Sequence, residues 1–267
     1  MREMIIYSNS IDLKKTFECG QAFRWHSDSK QLHWSAVIDH SLVVLIQETE
    51  RITLIETGNH TDDWWYNFLD LNFDYGYLEQ LNLSAFERKA LLYSKGIKIL
   101  RQDLWETFVS FIISQQNNIP RIKRLVDSLC RNYGNVVYQM NDSCYYDFPS
   151  HERLADVGIA QLRKLGLGYR AEYVDYAAKH WSAELENNLL RMNSSDAVYT
   201  LKQFYGVGSK IANCVDLFAL HHLDSFPIDI WISRVMSRYP EINPHRYGEL
   251  AGIMQQYLYY YGRNVGI

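Results

Sequence analysis

The chain has 267 residues, of which 47% are hydrophobic and 22% are charged. These proportions are those of an ordinary globular protein, and they exclude a wholly disordered or fibrous chain. No apolar run reaches the roughly 18 residues that a membrane-spanning helix needs, and the N-terminus lacks the basic-then-apolar layout of a signal peptide. We therefore expect a soluble, cytoplasmic protein.

The four cysteines argue against a bound metal. None of Cys19, Cys130, Cys144 and Cys214 is paired at Cys-x-x-Cys spacing. Neither a structural zinc nor a four-cysteine iron–sulfur cluster is expected from this spacing.

Charge is unevenly distributed along the chain. Residues 1–94 contain 8 basic and 14 acidic residues, whereas the remainder contains 19 basic and 17 acidic residues. Within that remainder, residues 95–131 hold seven basic residues against three acidic ones. A local basic surface can bind phosphate groups even in a chain whose net charge is -4, because binding depends on the local field. A solvated helix surface explains the same charges, so both interpretations stay open.

Strand patterns come first along the chain. Three apolar or alternating segments separated by polar breaks predict an antiparallel meander over Leu32–Ile38, Leu42–Ile46 and Arg51–Glu56. Helix patterns follow. Thr61 can cap a helix over Asp63–Leu71, and Ser84 and Glu87 have the spacing of a capping box.

From about residue 101 the pattern is helical. Asp103 can cap a run that ends near Ile113, Pro120 suits the first turn of the following helix, and Gly134 suits its end. Further helices are predicted from Pro149 to Gly166, over Tyr169–His180, over Ser195–Phe204 and, with two interruptions, over Leu201–Ile267. The predicted class is α+β: a small antiparallel N-terminal sheet domain followed by a predominantly helical, two-lobed part.

Gly206 and Gly208 bracket a tight turn between two of these helices. Glycine adopts such turns without steric cost, and the helix that starts near Ser209 leaves unpaired N–H groups at its positive end. These donors can hold one phosphate without reading base sequence. A compact helical hairpin with no ligand is the alternative interpretation.

Lys210 and Asp229 are the candidate catalytic residues. Lys210 lies in the first turn of the second helix, where the helix field should lower its pKa and favour a nucleophilic neutral amine. Asp229 follows Pro227 and can cap a helix over Ile230–Tyr239. A lysine and a carboxylate facing one cleft suit cleavage of an N-glycosidic bond, in which positive charge develops on carbon. A surface lysine and a purely capping aspartate are the alternatives.

The segment Leu201–Trp231, with its hairpin, its lysine and the sequence Phe-Pro-Ile-Asp, resembles the helix-hairpin-helix DNA glycosylase superfamily. The resemblance implies that Lys210 belongs to the bifunctional branch. In that branch the lysine displaces the damaged base, forms an imine with the sugar and then nicks the strand. No cysteine follows Cys214, which disfavours the branch that carries an iron–sulfur cluster.

Further motifs resemble 8-oxoguanine DNA glycosylases. Glu18–Trp25 is similar to the family's N-terminal motif, in which a glycine carbonyl, here that of Gly20, accepts the N7 proton that only the oxidised base carries. The resemblance also implies that Cys214 packs on the oxidised base. Gln255 would then bind its Watson–Crick edge, and Tyr259 would stack on its other face.

Two segments resemble the family's contacts with the base opposite the lesion. The Gln- and Asn-rich segment that ends at Arg121 implies that Arg121 reads the orphaned cytosine. Gln116 stands where the family usually has asparagine, in the turn that enters the gap left by the flipped base. The sequence Leu-Gly-Leu-Gly-Tyr-Arg implies that Tyr169 is the wedge and Arg170 a second cytosine reader.

The resemblance implies three domains. A sheet domain covers residues 1–100, a catalytic helix-hairpin-helix domain joins residues 101–121 with residues 201–267, and a helical domain covers residues 122–200.

The implied partner is duplex DNA containing oxidised guanine. Gly206 and Gly208 would contact its phosphates together with Trp231, where many relatives have histidine. A monomer is expected, with no membrane partner, no cofactor and no catalytic metal, and a nucleoid association if the source is prokaryotic. A differently specific or non-catalytic helix-hairpin-helix DNA-binding protein is the alternative.

Overall fold

A computed structural model describes residues 1–141 and 143–267. Its N-terminal part is a five-stranded antiparallel sheet in the order β1-β5-β4-β3-β2. The strands are β1 Arg2–Tyr7, β2 His26–Ser27, β3 His33–Ile38, β4 Ser41–Gln47 and β5 Arg51–Glu56. The three predicted strands are confirmed as β3, β4 and β5. Strand β1 is an addition; it pairs with β5 across the sheet, and Met4 and Ile6 alternate into the core.

The sheet packs against two helices, α1 Leu13–Glu18 and α2 Asp62–Phe68. Phe17 of α1 stacks on Trp25 with the ring centroids 4.0 Å apart, and Trp34 and Trp65 are fully buried beside them. Large aromatic side chains contribute much of the energy of such a core. This core fixes the point where the chain leaves α1, at the turn that contains Gly20.

The remainder of the described chain is mainly helical. The helices are α3 Ala85–Ser94, α4 Leu104–Ile113, α5 Ile119–Tyr133, α6 His151–Val157, α7 Ile159–Lys164, α8 Arg170–His180, α9 Ala183–Leu189, α10 Ser194–Leu201, α11 Ser209–Phe218, α12 Ile230–Arg238 and α13 Ala251–Val265. Helix α4 is central: all of its residues except Glu106 are buried, and it packs against α5, α8 and α11. The hairpin of β6 Val136–Met140 and β7 Ser143–Tyr146 lies between α5 and α6. Neither this hairpin nor α9 is among the predicted elements.

Most helix ends follow the predicted caps. Asp103 caps α4, Gly134 ends α5, and the predicted capping box opens α3. Three predicted helices are wrong in extent. The helix predicted to reach Leu71 ends at Phe68. The backbone of Gly158 has a φ of 76° and divides the helix predicted from 149 to 166 into α6 and α7. The helix predicted to end at Phe204 ends at Leu201, because the turn before the hairpin starts there.

The fold is α+β, as predicted, with a separate core for the sheet and a larger core for the helices. The predicted domain limits near residues 100, 121 and 200 remain proposals. Helix α3 lies within residues 1–100, yet its Phe86 and Ala90 belong to the larger core. No helix among the described residues is long and apolar enough to cross a membrane.

Candidate active site

A small cavity of about 50 Å³ lies where α11, α13, the start of α12 and the Gly20 turn meet. It brings together six of the predicted site residues: Gly20, Lys210, Cys214, Asp229, Gln255 and Tyr259. The other lining residues are Cys19, Phe111, Phe218, Pro227 and Gln256. Residues far apart in the sequence therefore share one site.

Lys210 enters this cavity from the first turn of α11. Its Nζ donates a hydrogen bond to the hydroxyl of Ser114 over 3.0 Å and lies 5.0 Å from the ring centroid of Phe111. Ser114 is the C-cap of α4. Ser114 lies in the segment that resembles the family motif ending at Arg121. No local pattern indicates its contact with Lys210, because the two residues are 96 positions apart in the chain.

Asp229 is the N-cap of α12, as predicted. Its Oδ1 accepts hydrogen bonds from the backbone N–H groups of Trp231, at 3.0 Å, and Ile232, at 2.8 Å. Burial raises the pKa of Asp229, and these N–H groups and Lys210 oppose that rise. No donor among the described residues lies within hydrogen-bond distance of Oδ2, so one carboxylate oxygen remains available to a substrate.

Gly20 lines the same cavity as Lys210, and its backbone has a conformation that residues with a side chain rarely adopt. Its φ of 87° is in the left-handed region, which favours glycine. A side chain would also lie 3.2 Å from Cδ1 of Ile119 and 3.3 Å from Oη of Tyr259. Gln21 anchors the turn, since its amide donates to the carbonyl of Lys98 over 2.7 Å and accepts from the N–H of Leu100 over 2.9 Å. Within residues 1–141 and 143–267, no donor contacts the Gly20 carbonyl.

Gln255 holds an unused acceptor in the cavity. Its Nε2 donates to the carbonyl of Pro227 over 2.9 Å, whereas its buried Oε1 has no partner among the residues that the structure describes. A buried acceptor without a donor costs free energy until a ligand or water satisfies it. The side chain is therefore oriented for a ligand that presents N–H groups.

Cys214 and Tyr259 complete the walls as uncharged groups. Burial raises the pKa of the Cys214 thiol to about 11, so the thiol is protonated at neutral pH. Burial also raises the pKa of Tyr259, against the guanidinium of Arg263, which lies 5.4 Å from its ring centroid. Two polarisable, neutral surfaces suit the faces of a planar base.

The predicted opposite-base residues form a separate group on the α4–α5 loop and the start of α8. Arg170 is buried, and it donates to the carbonyl of Gln115 over 2.8 Å and to that of Gln116 over 3.0 Å. Arg121 is exposed and donates to the carbonyl of Gly166 over 3.3 Å. Arg170 thus holds the loop in place here, whereas the guanidinium of Arg121 is largely open to solvent.

The tip of this group consists of Gln116 and Tyr169. Gln116 has a φ of 45°, in the left-handed region. Tyr169 is 42% exposed, and its ring centroid lies 4.6 Å from the guanidinium carbon of Arg170. An exposed aromatic ring supported by a cation can insert between bases.

The predicted phosphate-binding residues lie at the hairpin and at the start of α12. Gly206 has a φ of 80°, and a side chain there would collide with the ring of Tyr173. Gly208 is the N-cap of α11 and supplies no side-chain cap, so the N–H groups of Ser209 and Lys210 at the start of α11 can bind an anion. Trp231 is half-buried, and its ring centroid lies 5.1 Å from the guanidinium carbon of Arg234.

Two family models match successive parts of the chain. Residues 3–108 match the family model of the 8-oxoguanine DNA glycosylase N-terminal domain. Residues 109–258 match that of the HhH-GPD superfamily base excision DNA repair proteins.

Individual relatives cover most of the chain. The N-glycosylase/DNA lyase of Saccharomyces cerevisiae is 32% identical over 91% of this chain and 72% of its own length. The Clostridium acetobutylicum 8-oxoguanine glycosylase/lyase, solved with double-stranded DNA containing cytosine opposite 8-oxoguanine, has a TM-score of 0.89 and 27% identity over 99% of both chains. MBOgg1 in complex with a low-affinity DNA ligand also has a TM-score of 0.89, with 34% identity over 99% of this chain and 96% of that one.

Proposed function

Since the chain belongs to the 8-oxoguanine DNA glycosylase family of the HhH-GPD base excision repair superfamily, we propose that it excises 8-oxoguanine opposite cytosine and then nicks the strand. The observation that carries this proposal is the shared cavity of Lys210, Asp229, Gly20 and Gln255. It combines an amine and a carboxylate with two acceptors to which no described residue donates a hydrogen bond. Membership of this family identifies the protein as a DNA N-glycosylase with lyase activity. The individual steps of the reaction are part of the proposal.

The two unused acceptors suit oxidised guanine. Guanine carries N–H donors on its Watson–Crick edge, which the Oε1 of Gln255 can accept. Oxidation at C8 adds a proton at N7, and the Gly20 carbonyl can accept it. The unmodified base has a lone pair at N7, which a carbonyl oxygen repels. A hydrogen bond that forms with 8-oxoguanine and cannot form with guanine favours binding of 8-oxoguanine by about 1–3 kcal/mol.

Lys210 and Asp229 then have different roles in the reaction. The neutral amine of Lys210 attacks C1′ of the flipped nucleotide as the bond to the base breaks, and the electron pair of that bond leaves with the base. Positive charge that develops on C1′ is stabilised by the free carboxylate oxygen of Asp229. The bound nitrogen then loses its protons, the C1′–O4′ bond breaks as O4′ takes up a proton, and an imine forms at C1′. Loss of a proton from C2′ of this imine drives β-elimination, which expels the 3′ phosphate.

The opposite cytosine would meet Arg121, Arg170 and Gln116. Orphaned cytosine presents O2 and N3 as acceptors, which suit arginine donors. Arg121 can reach it directly, whereas Arg170 must exchange at least one hydrogen bond to the loop carbonyls. Tyr169 would fill the vacated stack, and a phosphate would be held by the N–H groups at the start of α11, with Trp231 as a further phosphate contact.

Single-turnover excision on four duplexes tests this proposal. Each duplex carries 8-oxoguanine opposite a different base, and a control duplex carries guanine opposite cytosine at the same position. Both the free base and the nicked strand are quantified. We expect both products, formed fastest opposite cytosine. Equal rates on 8-oxoguanine and on guanine would refute the proposed lesion, and release of base without any nicking would refute the lysine mechanism.

A further inference from the structure

A second cavity, of about 790 Å³, lies away from the active site. It is bounded by residues 9–12, residues 71–79 and the segment Lys95–Lys98. Helix α13 contributes Tyr257 to it, but none of the residues that line the active cavity. Its volume is within the range of roughly 300–1,000 Å³ that is typical of small-molecule sites.

Lys98 is the unusual residue of this second cavity. Its side chain is only 2% exposed, and its Nζ lies 3.8 Å from the ring centroid of Tyr75. No acceptor in the described part of the chain lies within hydrogen-bond distance of that amino group. An ammonium has three donors, and burying them without acceptors is costly. Burial accordingly lowers the pKa of Lys98 to about 8, although Asp70 and Asp74 oppose this.

The other charged groups of the second cavity already have partners. Asp12 accepts a hydrogen bond from the backbone N–H of Lys15 over 2.9 Å. Asp74 accepts from the N–H of Gly76 over 2.8 Å. Lys95 pairs with Glu79 over 3.1 Å. Among the described residues, the charged group of this cavity that has no hydrogen-bond partner is therefore the amino group of Lys98.

The remaining walls are largely apolar and include Ile11, Leu71, Phe73, Leu78 and Leu91. From this arrangement we propose that the second cavity binds a small organic anion, a carboxylate on an apolar body, whose oxygens accept hydrogen bonds from Lys98. The apolar body would pack on these walls. The proposal is independent of DNA repair, because no residue of the active cavity takes part.

Benzoate is the probe that tests this site, and its neutral isostere benzamide is the matched control ligand. Both are titrated calorimetrically into the wild-type protein, Lys98→Met and Lys95→Met. For a ligand of this size we expect a Kd on the order of 1 mM for benzoate, and at least tenfold weaker binding of benzamide. Lys98→Met should weaken benzoate at least tenfold. Lys95→Met, the same change at an exposed, paired lysine of the same cavity, should bind within about twofold of wild type.

Two measurements keep the test decisive. Methionine keeps the apolar stem of Lys98 and removes the amine, so Lys98→Met should melt no lower than wild type. The comparison of benzoate with benzamide uses only the wild-type protein, and so does not depend on any variant folding. Three results would overturn the proposal: equal benzoate binding by wild type and Lys98→Met, equal binding of benzoate and benzamide, or no benzoate binding at about ten times the expected Kd.

Discussion

The amino group of Lys210 and the hydroxyl of Ser114 are 3.0 Å apart, and they join the hairpin helix α11 to the end of the central helix α4. The Ser114 hydroxyl itself donates to the carbonyl of Phe111 over 2.7 Å. The hydroxyl proton of Ser114 therefore takes part in the bond to Phe111, and an oxygen lone pair accepts the hydrogen bond from Lys210. This bond orients the proposed nucleophile toward the cavity.

Ser114→Ala should slow both base excision and abasic-site cleavage by about fivefold, because one hydrogen bond is worth roughly 1 kcal/mol. Single-turnover rates on both substrates measure this effect. Ser110→Ala is the matched control, one turn earlier in the same helix, and should react as wild type does. If Ser114→Ala keeps the wild-type rates, the bond does not position Lys210.

Substitutions of Asp229 should separate catalysis from helix capping. Asparagine is as good an N-cap as aspartate, whereas alanine loses the cap at a cost of about 1 kcal/mol. We expect both variants to lose excision and only Asp229→Ala to lose stability in urea unfolding. An Asp229→Asn protein that excised at the wild-type rate would exclude the carboxylate from the chemistry.

The pH dependence of Asp229 follows from its raised pKa. Excision needs the carboxylate, so its rate should fall on acidification at a higher pH than for an exposed aspartate. Acidification has the opposite effect on folding stability, because the folded protein binds the Asp229 proton more tightly than the unfolded chain does. The stabilisation that this gives is complete below the unfolded pKa of about 3.9 and is lost as pH rises through the folded value. Asp229→Asn should remove that loss, and an unchanged pH dependence of unfolding in this variant would contradict it.

Gly20→Ala should impair recognition of the lesion more than chemistry. The new methyl group would contact Ile119 and Tyr259 and move the base away from the carbonyl, whereas Lys210 remains in place. We expect much slower excision of 8-oxoguanine with near-normal cleavage of a preformed abasic site. Gly158→Ala is the control: its φ of 76° gives similar strain, with nothing within 4 Å of the new methyl group. Equal losses of Gly20→Ala on both substrates would mean that this turn only supports the fold.

Gln116→Asn should stabilise the protein. Gln116 has a φ of 45°, and asparagine adopts this left-handed conformation more readily than glutamine does. We expect the free energy of unfolding to rise by about 0.5–1 kcal/mol, measured by urea denaturation. A fall would show that the longer glutamine side chain makes a stabilising contact that outweighs the backbone strain.

Sequence patterns predicted the helix caps and turns, because these features depend on interactions between residues close together in the chain. The caps at Asp103 and Asp229 and the glycine turn at Gly206 depend on neighbours within a few residues. Strand β1 and the contact between Ser114 and Lys210 depend on partners far along the chain, and no pattern at either end indicates them. The hydrogen bonds of Arg170 to the loop carbonyls could not be predicted either, because the motif identifies the residue and not its partners before DNA binds.

Mapping the covalent adduct tests the proposed lysine chemistry most directly. The protein is incubated with a duplex carrying 8-oxoguanine opposite cytosine, reduced with borohydride and digested, and the peptide that carries the sugar remnant is sequenced by mass spectrometry. We expect the remnant on Lys210, and no trapped complex from Lys210→Gln, which should still bind the lesion duplex. A remnant on another amine, or trapping of Lys210→Gln as efficient as that of wild type, would contradict the assignment of Lys210 as the nucleophile.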